Sequence, residues 1–153
     1  MAELGRGVKA GAIAGAISGF VIIMITFIIA SIFSKNKAEL FTFSVIALLF
    51  VAILILTLKA SFQGLIVGVI FSLLYKFIPT QKSIYKAIIF SLLVATIIVG
   101  TLLILERVSP GSLSKYAGIG NYSVNLIILI LLVEALFRGY LLGYFWDKFA
   151  TTV

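Results

Sequence analysis

Glu134 and Arg138 have the most capacity for chemistry in this sequence, because both lie inside the apolar run 124–146. An ionisable side chain inside a membrane-spanning helix costs roughly 2.5–3.5 kcal/mol and usually faces protein or a water-filled cavity. The acid precedes the base by four residues, so one helix face carries both in the favourable order. Two readings stand. Either the pair neutralises itself, with Arg138 reaching toward the C-terminal interface, or it works. A working Glu134 would carry a proton or bind a cation along a transport path, with Arg138 tuning its acidity. Alternatively, the two would join charges on a neighbouring subunit. Glu3, Glu39 and Asp147 are peripheral and Glu106 ends an apolar run, so no second interior acid continues a relay.

The remaining chemical inventory is thin. With no cysteine and no histidine, disulfides, thiolate sites, iron–sulfur clusters and histidine-ligated metals or haem are excluded. The usual general base near neutral pH is missing too. Gly118-Ile119-Gly120-Asn121 lacks the lysine, preceding strand and third glycine of a phosphate loop and reads as a turn. Neither a catalytic centre nor a metal or cofactor is expected; membrane lipid is the expected small-molecule companion.

The elements that must hold this pair follow from composition. Of 153 residues, 63% are hydrophobic and 11% charged, where a soluble domain is about half apolar and about a quarter charged. Most of the exterior must therefore face lipid or protein, as a single transmembrane domain over 1–153. The net charge of +7 is scattered singly or in pairs. No groove-sized basic patch interleaved with aromatics is present, so nucleic acid is not an expected partner. Basic residues beside apolar spans instead set topology and meet anionic head groups.

A spanning helix needs about 20 apolar residues. Five runs qualify, at about 11–33, 41–58, 62–78, 84–105 and 124–146, with an extramembrane loop over 106–123. The first is too long for the apolar core of a signal peptide and reads as an uncleaved span. The second and third are too long together for one crossing, so a tight hairpin is expected at Lys59-Ala60-Ser61, with Lys59 snorkelling to the interface. A re-entrant third segment is the alternative. Pro79 stops the third span and Ser83 is a good N-cap for the fourth. Five crossings put the termini on opposite sides. The spread of Lys and Arg favours a cytoplasmic C-terminus, in a prokaryotic cytoplasmic membrane. Trp146, Tyr144, Tyr140, Tyr75 and Tyr85 are expected in one aromatic belt.

Packing supplies the clearest motif. Gly7, Gly11, Gly15 and Gly19 recur every four residues, and Gly64, Gly68 and Ser72, then Ala87, Ser91 and Ala95, then Ala135, Gly139 and Gly143 repeat the spacing. Small residues at this interval let helix backbones approach closely where lipid offers little hydrophobic drive. The expected fold is thus an all-α integral membrane bundle of about five helices. The seams either hold the bundle together or, for the long row of the first helix, dock a second copy or another subunit. No internal duplication is read, although the runs at 64–68 and 139–143 are faintly alike. The function expected first is a non-catalytic subunit of a larger membrane complex, such as a respiratory or other energy-converting one. The alternative is a small homo-oligomeric transporter or channel with Glu134 on the path.

Overall fold

The computed structural model describes residues 2–33, 43–109 and 124–150, with side-chain surroundings over 3–28, 50–109 and 128–150. Among the described residues there are four long helices and no strand: α1 (Ala2–Phe33), α2 (Phe43–Leu74), α3 (Ser83–Val108) and α4 (Val124–Lys148). All four are long and apolar enough to cross a membrane, consistent with an integral membrane protein.

The expected break at Lys59-Ala60-Ser61 is absent. Residues 43–74 form one helix of 32 residues, about 48 Å long at about 1.5 Å per residue. That length fits a single crossing, because a bilayer measures about 40–45 Å once its head-group regions are included. Lys-Ala-Ser contains no helix breaker, and this stretch is held against α1. The Ser61 hydroxyl donates to the Ala12 carbonyl at 3.2 Å, and Ala60 lies against Gly15 and Gly19. The helix stops where proline demands it: a 3-10 turn over Tyr75–Phe77 leads to an extended Ile78 before Pro79. Ser83 is the first residue of α3 rather than its cap, a position Lys82 holds with no side-chain hydrogen bond. The Ser83 hydroxyl instead meets the Tyr75 hydroxyl at 2.7 Å. At its other end α3 runs to Val108, past the Leu105 expected; the rest of the expected loop, 110–123, lies outside the described residues.

The chain folds as two antiparallel hairpins, α1 with α2 and α3 with α4, and α4 packs back on α1. Each hairpin closes on small residues. A Cβ built at Gly64 would stand 2.7 Å from Gly15 Cα, and one at Gly11 would stand 2.7 Å from Gly68 Cα. In the second hairpin, a Cβ at Gly139 would stand 2.8 Å from Ile88 Cα and 3.0 Å from the Ala87 carbonyl. The likeness extends to sequence: Ala60-x-Phe62-x-Gly64-x-x-x-Gly68 recurs as Ala135-x-Phe137-x-Gly139-x-x-x-Gly143. The faint resemblance between the two glycine pairs is thus a repeat of hairpin architecture.

At one end the four helices are fastened by a stack of charges and rings. The Arg6 guanidinium lies 4.5 Å from the Trp146 ring centre. Trp146 stacks on Tyr75 at 4.7 Å, and the Lys86 ammonium lies 4.2 Å from the Tyr75 ring. Arg6 also donates to the Trp146 carbonyl and faces Asp147 at 3.8 Å. Trp146 is fully buried beside Phe71 and Phe90, so it belongs to the core and not to the belt; Tyr85, Tyr140 and Tyr144 are exposed. Arg6 of α1 and Asp147 of α4 thus meet at one end of the bundle.

Two outcomes follow. Gly64→Leu is expected to destabilise the bundle by about 3 kcal/mol, the upper end for overpacking, because backbone cannot yield. Gly100, whose built Cβ meets nothing within 4 Å, should accept leucine with a change of under about 1 kcal/mol, both read by unfolding in mixed micelles. Single cysteines placed by Glu3→Cys and Lys148→Cys should react with an impermeant maleimide from the same side of sealed vesicles; labelling from opposite sides would reinstate an odd number of crossings.

Candidate functional site

The interior ion pair lies on α4 where that helix meets α1. Arg138 and Glu134 form a salt bridge one turn apart, each side chain 19% exposed. Arg138 does not reach toward the C-terminal interface. Its Nε donates to the Ser18 hydroxyl at 3.2 Å, and Ser18 donates onward to the Gly15 carbonyl at 3.2 Å. Ser18 is completely buried. It is the member of the site that the sequence reading missed; its signal was a hydroxyl set just before Gly19 in the glycine row, where small side chains face a neighbour.

The reason for the arrangement is local. Gly15 and Gly19 bring α2 onto one side of α1, while α4 packs on another. A guanidinium with five fixed donors can hold a carboxylate and a hydroxyl together. Such a pair is tolerated in a dry interior only when its donors and acceptors are met.

Beside the pair is a cavity of about 60 Å³ lined by Val67 of α2, Ser91, Val94 and Ala95 of α3, and Glu134 and Arg138. The Ser91 hydroxyl is buried and has no hydrogen-bond partner among the described residues. A bound water needs about 10–15 Å³ and two to four polar partners, which this space and these three side chains supply. The arrangement can therefore hold water against a carboxylate inside the bundle.

The glycines named from sequence all lie between helices of this chain. Gly7, Gly11, Gly15 and Gly19 face Ser72, Gly68, Gly64 and Ala60 in turn, and Gly139 and Gly143 face Ala87, Ser91 and Ile84. The α1 row that could have docked a second partner is filled by α2. Thr96 bonds the Leu92 carbonyl of its own helix, and Gln63 is exposed. The turn expected at Gly118–Asn121 lies outside the described residues. No protein-family model, curated protein or solved structure matches the chain.

Removing one partner of the pair strands the other. Arg138→Leu is expected to cost about 3 kcal/mol or more, whereas Glu134→Gln combined with Arg138→Leu should recover most of that loss. Unfolding in mixed micelles measures both. Equal losses in the single and double variants would mean that the two side chains do not neutralise each other.

Proposed function

We propose that the chain is a non-catalytic, polytopic subunit of a larger membrane assembly, for example an energy-converting or respiratory complex. What carries the reading is the exposed apolar flank of α2. Along residues 50–74 of that helix the buried residues are Ala60, Gly64, Gly68, Phe71 and Ser72, on the side that meets α1 and the core. Phe50, Leu54, Leu58, Phe62 and Leu73 are left exposed along it. Its inward edge is fixed to α1, so the helix is a rigid apolar flank suited to a neighbouring protein. Glu134, well inside its span, is engaged by Arg138, which suits a structural role better than a reactive one.

Arg6, Lys9, Lys76, Lys82, Lys86 and Lys148 belong to the helix ends that meet around Trp146, while Arg107 ends α3 at the opposite end. The links 34–42 and 110–123 add Lys35, Lys37 and Lys115. By the positive-inside tendency we assign the Trp146 end to the cytoplasmic face.

Purification from native membranes in a mild detergent, followed by mass spectrometry, tests the reading. Integral membrane partners in fixed stoichiometry are expected; recovery of the chain alone would contradict it. The cavity beside Glu134 favours a second reading, transport of a proton or small cation, which requires Glu134→Gln to abolish flux in proteoliposomes with the oligomeric state unchanged. Undiminished flux would remove Glu134 from any path.

A further inference from the structure

Lys59 stands 16 residues after Phe43 and 15 before Leu74, the two ends of α2. At about 1.5 Å per residue that is more than about 20 Å from either end. A lysine snorkels from near a helix terminus, not from its middle. Packing gives the same depth. Arg138 donates to Ser18, and the next residue of α1, Gly19, abuts Ala60. Lys59 and Arg138 therefore lie at one level of the bundle.

Their surroundings differ. Arg138 has Glu134 and Ser18. Lys59 is exposed, as is Gln63 one turn on, and no acid lies within ion-pair distance of Lys59 among the described residues. The like hairpins sharpen the contrast. Lys59 and Gln63 hold in α2 the places that Glu134 and Arg138 hold in α4, around the shared Ala-x-Phe-x-Gly run. In α4 that pair turns onto α1. In α2 it has no such neighbour: Phe71 and Phe90 touch with ring centres 5.5 Å apart, but α2 and α3 form no extended seam among the described residues. The result is an apolar outer stripe of Ile55, Phe62, Ile66 and Ile70 with an ammonium and an amide at its centre.

We propose that this stripe docks a spanning helix of a different membrane protein, one carrying an aspartate or glutamate at mid-depth that pairs with Lys59 while Gln63 hydrogen-bonds beside it. The inference rests on the subunit reading and names the chemistry of the partner. A carboxylate is the group that relieves a desolvated ammonium, and an adjacent amide adds a hydrogen bond between helices. A second copy of this chain is poorly suited to supply it. Glu134, the acid at this depth, is engaged by Arg138, while Glu3 and Asp147 pair with Lys76 and Arg6 at the Trp146 end.

The chain has no cysteine, so Lys148→Cys gives a single dye position far from the stripe. Energy transfer is then measured in phosphatidylcholine vesicles to acceptor-labelled leucine–alanine helices of about 22 residues bearing Glu, Gln or Leu at the centre. The Glu helix is expected to associate about tenfold more tightly than the Leu helix, a size suited to one polar contact between helices. Lys59→Leu should erase that preference and Lys59→Arg should keep it. Equal association of the Glu and Leu helices, as expected if lipid alone satisfies Lys59, would overturn the proposal. So would a preference that survives Lys59→Leu, or energy transfer between copies of the chain that Lys59→Leu abolishes. The two readings fail separately. A chain that purifies alone yet keeps the Glu preference sinks the subunit reading; partners that remain bound to the Lys59→Leu protein sink the docking surface.

Discussion

Close backbone approach is the constraint from which the rest of this molecule follows. In lipid, apolar side chains gain little by meeting each other, so helices associate through van der Waals packing and a few interhelical hydrogen bonds. Here four glycines of α1 lie against Ala60, Gly64, Gly68 and Ser72 of α2, at distances that leave no room for a Cβ. The second hairpin repeats the device with Gly139 and Gly143 on Ser83, Ala87 and Ser91. Both helices of the first seam run unbroken for 32 residues, and where they touch every fourth residue is small. The seam thereby fixes topology as well as packing.

The charged groups are placed by the same frame. Where α4 crosses α1, Ser18 sits next to Gly19 and offers Arg138 a hydroxyl, and Glu134 closes the set. At the Trp146 end, Arg6, Trp146, Tyr75 and Lys86 alternate cation, ring, ring and cation, drawn from α1, α4, the 3-10 turn and α3. Stacks of this kind gain strength where water is partly excluded. They fasten the hairpin ends without adding a buried unpaired charge. Lys59 departs from the pattern, and its position in α2 gives that flank of the bundle a polar centre.

Much of this was legible in the residues. The four-residue spacing of glycine and alanine revealed the seams, and the order of Glu134 and Arg138 revealed a pair on one face. Hydropathy reads two runs where one helix spans 43–74, because it counts length and not continuity. Lys59 and Gln63 look like an interface only if the helix is assumed to end there, while the glycine spacing runs from Ala60 through Ser72 without a break. Indoles favour membrane interfaces, which points Trp146 to a belt; Arg6, 140 residues away in sequence, instead bonds it within the bundle. Ser18 could be found only once α4 was known to lie on α1. The kinship of the hairpins was visible as Ala-x-Phe-x-Gly, masked by the reversal of charge between Lys59 and Glu134.

The most direct measurement is the membrane depth of position 59. A nitroxide attached after Lys59→Cys, in an otherwise cysteine-free chain, reports depth through its relative accessibility to oxygen and to a water-soluble nickel chelate. A continuous α2 requires high oxygen and low nickel accessibility at 59, with depth decreasing toward both helix ends. A nickel-accessible, interfacial position 59 would contradict the single crossing, and with it the shared depth of Lys59 and Arg138.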